Sequence, residues 1–198
     1  MDARERILSR VRKALRERPK AELPSPLHPP ALPDPVALLL ARLRENGAEG
    51  ERVPWEEAKG LLARLAEGLK GVAFGAGVPK ALRPPLPELP PEEAPLGVSF
   101  ALFAVAETGT VALSSEDGRR AQLLPPTHLV LVPEERVYGT LLEAMARLER
   151  LPKALGLHSG PSKSADIGQV MVKGVHGPGR LFVAVLSGRP EGGPGGGG

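Results

Sequence analysis

The chain has 198 residues, of which 41% are hydrophobic and 25% charged; that is enough for one α/β domain with a real core, or for a domain plus an N-terminal appendage. Its 26 basic and 23 acidic residues leave a net charge of +3, with the two signs alternating along the chain, and aromatic content of only 3% gives little to stack bases on, so nucleic acid is not expected as a partner. The absence of cysteine removes disulfides, thiolate nucleophiles and cysteine-ligated zinc or iron–sulfur centres.

The first residues lack the apolar core of a secretory signal. Residues 3–18 read as a helix with a narrow apolar stripe of Ile7, Leu8, Val11 and Leu15. Seven prolines between Pro19 and Pro35 exclude helix and central strand there. The helix is therefore an arm held at a distance, packed either on its own domain or on a second subunit of a homo-oligomer. A short helix over 36–45 stops at Asn46-Gly47, and 55–69 is the next helical pattern. Gly71-Val72-Ala73-Phe74-Gly75 reads as a short buried strand, and 79–95 as a proline-rich covering loop.

From Gly97 an apolar run reaches Ala106, followed by a Val111-Ala112-Leu113 strand and a turn at Asp117-Gly118. Leu129-Val130-Leu131-Val132 is fully apolar, as a strand covered on both faces must be. Residues 134–151 read as an amphipathic helix, 154–157 as a strand, 165–173 as a helix closed by Gly174, and Leu181-Phe182-Val183-Ala184-Val185-Leu186 as the last strand. This alternation predicts an α/β fold, a mostly parallel sheet with flanking helices plus an N-terminal helical arm. The organisation expected is an arm and linker over 1–35, an α/β domain over 36–188, and a glycine-rich disordered tail over 189–198.

No apolar run approaches the roughly 20 residues of a membrane span, so a cytoplasmic protein is expected. Asn46 is the only asparagine, glutamine is limited to Gln122 and Gln169, and prolines number 23. This usage suits a thermophile, although a GC-rich genome produces much of the same bias.

Two polar clusters carry the candidate chemistry. His158-Ser159-Gly160-Pro161-Ser162-Lys163-Ser164-Ala165-Asp166-Ile167 crowds hydroxyls and an ammonium just before the helix expected at 165–173, where helix-start amides favour a ligand. Ser162 or Ser164 as a simple helix cap, with Asp166 at its positive end, is the plainer account. Ala106-Glu107-Thr108-Gly109-Thr110 is the second cluster, with a carboxylate set among apolar neighbours. Desolvation there suits Glu107 to a general base or nucleophile; the alternative is a structural glutamate accepting backbone amide bonds. Both clusters are expected in one crevice at the carboxyl ends of strands, holding a small organic anion or a carbonyl substrate.

His176, in the tight loop Gly174-Val175-His176-Gly177-Pro178, is either an acid–base group or a loop hydrogen-bonder. His128 precedes a buried strand, a structural position; His28 in the linker is inert. Arg119 and Arg120 read as a solvated pair, with an anion clamp as the alternative. There is no P-loop, nucleophile elbow, dinucleotide fingerprint or zinc-type histidine spacing.

Taken in order, Ala106-Glu107-Thr108-Gly109-Thr110, Leu124-Pro125-Pro126-Thr127-His128, Ser159-Gly160-Pro161-Ser162-Lys163-Ser164-Ala165-Asp166-Ile167 and Gly174-Val175-His176-Gly177-Pro178 resemble the LUD-domain family, nearest its lactate utilization protein C (LutC/YkgG) branch. The resemblance covers about 97–186 plus the N-terminal helix. It implies a fold like that of CoA transferases and ribose-5-phosphate isomerase, and a role beside iron–sulfur partner proteins in oxidising L-lactate to pyruvate. It implies no cofactor or metal held by this chain itself, the electron-carrying centres lying in the partners. Glu107, Thr108, Thr110, Ser159, Ser162, Lys163, Asp166 and His176 match motif positions, and Gly160 and Ser164 fall within the same loop. Two positions depart: Leu102 and Gly168 stand where many members carry acidic residues. The resemblance leaves open a stand-alone enzyme with Glu107 as nucleophile and a non-catalytic assembly subunit.

Overall fold

Asp2 begins the chain that the computed structural model describes, which comprises residues 2–16, 32–165 and 171–188. The linker prolines up to 31, His28, Asp166, Gly168 and the glycine tail lie outside the described residues. Helix α1 (Ala3–Arg16) starts where the Asp2 carboxylate accepts the Glu5 amide at 3.1 Å, and none of its residues is buried. Helix α2 (Pro35–Glu45) begins as its sequence dictates: Asp34 accepts the Ala37 amide at 2.9 Å, and Pro35 takes a first-turn position where no amide is needed. It ends at Asn46, with Gly47 at φ +82° turning the chain back.

Strand β1 (Glu49–Pro54) has no counterpart in the sequence reading, because Glu49-Gly50-Glu51-Arg52 carries little apolar signal. It is an edge strand, where polar residues are tolerated. The single helix expected over 55–69 is instead a 3₁₀ turn at Trp55–Glu57 followed by α3 (Ala58–Leu65), which buries Ala58, Leu61 and Leu62. Strand β2 (Val72–Phe74) follows as expected, and β3 (Leu96–Phe100) forms from the start of the apolar run.

The apolar run from Gly97 to Ala106 divides between two sheets. At Ala101 the backbone still donates to Leu131, and at Leu102 it donates to Ala112 instead. Strand β4 (Phe103–Val105) thus pairs with β5 (Thr110–Ser114), and Gly118 at φ +106° turns into α4 (Arg119–Leu123). Strand β6 (Thr127–Pro133) is buried over six of its seven residues.

Two helices expected from the sequence are corrected here. Within 134–151 the chain forms a 3₁₀ turn, then β7 (Val137–Tyr138), and only then α5 (Leu141–Ala146), capped by Thr140. Val137 and Tyr138 suit a strand, and they pair with Ala104 and Val105 of β4. After β8 (Leu155–His158), the segment read as a helix over 165–173 is bounded by β9 (Lys163–Ala165) and β10 (Met171–Lys173), which pair antiparallel. Lys163-Ser164-Ala165 gains more from this ladder than from a short helix with two hydroxyls nearby. Strand β11 (Arg180–Ser187) closes the fold.

The central sheet runs β1-β11-β6-β3-β2, parallel throughout. A second sheet runs β7-β4-β5-β8 and is mixed. On one face of the parallel sheet, Leu129 and Leu131 of β6 pack with Leu61 and Leu62 of α3. On the other, Val130 and Val132 meet Leu39 and Leu43 of α2 and Val111 and Leu113 of β5. A smaller core of Phe103, Val105 and Ala112 lies under Ala144 of α5, on the far side of the second sheet. The mixed α/β architecture with a mostly parallel sheet and an N-terminal helix is as the sequence predicts.

Candidate functional site

Both polar clusters meet at the carboxyl end of α2. The Ala106–Gly109 turn joins β4 to β5, and Gly109, at φ +63°, presses against α2 so closely that a Cβ would stand 2.7 Å from the Arg42 backbone. Asn46 then reaches both motifs. Its side-chain amide donates to the Thr108 carbonyl at 2.9 Å, and its own carbonyl accepts Lys163 Nζ at 2.5 Å. A cation at the last carbonyls of a helix is favoured by the helix dipole, so Lys163 caps α2 here.

The hydroxyls form a chain. Thr108 and Thr110 share a hydrogen bond at 2.7 Å, and Thr110 and Ser159 share another at 2.5 Å. Pairing of β5 with β8, in which Val111 faces His158, sets Thr110 opposite Ser159. Gly160 lies at φ +129° against the Asn46 carbonyl. Ser162 donates its amide to Pro178 at 2.8 Å and accepts from the Gly174 amide at 2.9 Å, which ties the serine loop to the loop carrying His176.

Glu107 goes elsewhere. It is exposed, its amide donates to Gly139, and its carboxylate accepts the Leu141 amide at 3.0 Å, at the start of α5. The desolvated setting expected from its apolar neighbours is absent, because a hairpin turn projects the side chain off the sheet while those neighbours face inward.

Beside the serine loop is a cavity of about 190 Å³ lined by Ser159, Gly160, Ser162 and His176, with His128 and His158 in its wall. Glu107, Thr108, Thr110, Lys163 and Ser164 do not line it; Ser164 is half-buried in β9. The cavity lies by His128 and Leu181, near the amino ends of β6 and β11, and β8 belongs to the mixed sheet. The expected crevice at the carboxyl ends of parallel strands is therefore not where these residues gather. Antiparallel pairing of β8 with β5 carries the serine loop to the other edge.

A line of buried polar groups lies between the two sheets. Ser99 and His128 are both fully buried, and His128 Nε2 lies 3.0 Å from the Ser99 hydroxyl. Burial, with repulsion from His158 added, pushes the His128 pKa down from 6.5 to about 3. His158, whose ring stands edge-on to His128 at 6.1 Å, is likewise shifted down by burial. Both are neutral at physiological pH. Among the described residues His128 Nδ1 has no hydrogen-bond partner.

Beyond Ser99 is Asp117, 5% exposed, whose Oδ1 accepts the Gly77 amide at 2.7 Å. Burial pushes its pKa up, opposed by the Gly77 amide and by the nearby Ser99, Gln122 and Phe100 groups. Its Oδ2 nevertheless makes no hydrogen bond of good geometry. Asp117 looks out on an open groove of about 600 Å³, with Arg83, Arg119 and Arg120 along it. Arg83 is held there over the Phe74 ring by the Gly75 and Val78 carbonyls, and Arg120 is paired with Glu92. The signal available in the sequence was Ser99 and His128 in otherwise apolar strands, each on the face opposite its leucine or valine neighbours. Among the described residues no group of three or more His, Asp or Glu side chains is arranged to hold a metal ion.

A model of the LUD domain matches residues 92–186. Lactate utilization protein C of Deinococcus radiodurans is 31% identical over 93% of this chain and 96% of its own length. The chain belongs to the LUD-domain family. Within it, the relatives carry the name lactate utilization protein C. The Halalkalibacterium halodurans protein is 37% identical over 50% of this chain and the Bacillus licheniformis protein 36% over 50%. Those matches span 46% and 45% of the relatives, under half their length. The fold is that of a DUF162-family protein from Deinococcus radiodurans known by crystallography (TM-score 0.59, 24% identity, 77% of this chain and 96% of that one). The LUD-domain match takes in every cavity-lining side chain named above. Among the described residues no helix is long and apolar enough to cross a membrane.

Proposed function

We propose that this chain is a component of a lactate-utilization system and binds a small organic anion, L-lactate or pyruvate, in the histidine-walled cavity. The observation that carries the reading is the gathering of Ser159, Gly160, Ser162 and His176 around about 190 Å³ backed by two neutral histidines. Such a volume suits a metabolite of a few heavy atoms. Serine hydroxyls donate to a carboxylate, His176 stands exposed at the mouth, and a neutral imidazole recognises a hydroxyl or carbonyl without adding charge. Thr108, Thr110 and Lys163 act one step back, holding the serine loop against α2, while Ser164 lies in the β9 ladder; Asp166 lies outside the described residues.

Oxidising L-lactate to pyruvate releases a pair of electrons and a pair of protons. A chain without cysteine carries no cluster to take the electrons, so the reading assigns them to iron–sulfur partner proteins, acting with this chain in the cytoplasm. Glu107 as the proton-transferring or nucleophilic residue is the weaker part of the proposal, since its carboxylate faces α5. That same geometry favours, as the second reading, an assembly subunit that only presents the metabolite. The domain division proposed is an arm, a body and a tail, with Leu32 and Asp34 belonging to the body through their contacts with its core and α2.

Titration calorimetry of the full chain with L-lactate and with pyruvate tests the proposal. Binding is expected, and Ser162→Ala or His176→Ala should weaken it about ten- to hundred-fold, the worth of a hydrogen bond to a charged group. No binding of either acid, or affinities unchanged in both variants, overturns it.

A further inference from the structure

The arm presents an amphipathic helix whose apolar face is left uncovered by the described residues. Ile7, Val11 and Leu15 follow one another at four-residue spacing and are 62%, 49% and 62% exposed; Leu8, beside them, is half-buried. Helical periodicity sets Arg10 and, further round, Arg6 on one side of this stripe and Arg12 and Arg16 on the other, with Lys13 on the opposite face. With Arg4, the 14 residues of α1 hold six cations against the one carboxylate of Glu5, a net of +5. The remainder of the chain keeps 20 of the 26 basic and 22 of the 23 acidic residues, a net of −2. The basic charge of this protein therefore resides in the arm.

We propose that α1 docks on an anionic membrane surface, lying in the headgroup plane with Ile7, Leu8, Val11 and Leu15 turned toward the acyl chains. A helix of this length spans about 21 Å. Two basic rows flanking an apolar stripe match a planar interface, which offers anionic headgroups on both sides of an apolar interior at one depth. The long arginine side chains let guanidinium groups reach phosphates while their stems cover apolar surface. A second copy of this chain offers only a weak charge complement, because the excess of two carboxylates outside α1 is spread over the rest of its length. The helix is too short and too charged to cross the bilayer, so the attachment is peripheral and reversible. This inference is independent of what the cavity binds.

The test is co-sedimentation of the full chain with vesicles of phosphatidylglycerol in phosphatidylcholine, against phosphatidylcholine alone. Binding is expected to the anionic vesicles only, and to fall as salt is raised, since surface charges are screened within about 10 Å at 0.1 M salt. Arg10→Gln and Arg12→Gln should each lower the partition coefficient about five-fold, the worth of one cation near an anionic leaflet. Val11→Glu should lower it further by placing a carboxylate in the acyl boundary. No residue of α1 is buried, so these variants should keep the wild-type urea midpoint. Equal sedimentation with both vesicle types, or variants that bind as wild type does, overturns the proposal. An arm-dependent dimer in analytical ultracentrifugation, broken by Val11→Glu in a protein that ignores anionic vesicles, overturns it too and assigns the stripe to a second copy.

Discussion

Acidification should unfold this protein through His128, and the size of the effect follows from its position. The imidazole is fully buried, its pKa held at about 3 against 6.5 in an unfolded chain. Because the folded value is depressed, the unfolded state takes up the extra proton between those limits. Stability is then complete above about pH 6.5 and is lost as pH falls toward 3. One proton corresponds to about 1.4 kcal/mol per pH unit, so the full window is worth on the order of 5 kcal/mol, a large share of a typical domain's stability. His158 adds in the same direction. Asp117, whose pKa is raised, acts oppositely: its burial costs stability at neutral pH, a cost relieved as it protonates in the folded state. Urea unfolding at closely spaced pH values measures the slope. His128→Gln removes the titrating group while keeping an amide within reach of Ser99, and should flatten the dependence below pH 6.5 by about one proton. An unchanged slope in the variant would show that the buried imidazole does not govern acid unfolding, and the reasoning from burial would fail.

Three further outcomes are expected. Gly97→Ala should destabilise by about 1–3 kcal/mol or prevent folding, because the added Cβ would overlap the Ala121 carbonyl and meet the Pro125 ring at 2.9 Å; a thermal melt equal to wild type would contradict this close approach of β3 and α4. Thr110→Val, which cuts the hydroxyl chain between Thr108 and Ser159, should lower the unfolding free energy measured in urea by about 1 kcal/mol and weaken L-lactate binding by loosening the serine loop. Glu107→Gln keeps an oxygen for the Leu141 amide and should leave turnover of a reconstituted lactate-oxidising system unchanged; a fall of about 10²–10⁴-fold would instead place its carboxyl in proton transfer.

Local chemistry made much of this fold readable. Asp34 and Pro35 open α2 and Asn46-Gly47 closes it, because caps act within a few residues of the helix they bound. The apolar run at 129–132 read as a strand covered on both faces, and the four motifs at 106–110, 124–128, 159–167 and 174–178 were together enough to place the chain in its family. What the sequence could not decide is where the chain changes sheets. Val137-Tyr138 and Lys163-Ser164-Ala165 become strands because neighbours distant in sequence offer them hydrogen bonds, and that choice moved the serine loop away from the carboxyl ends of the parallel strands. It also turned Glu107 toward α5, made Lys163 a cap on α2, and set Ser99, His128 and His158 together between two sheets. Residue types, caps and apolar runs follow from short-range interactions and are written along the chain; burial, partner and the protonation that follows from them exist only once distant strands have paired.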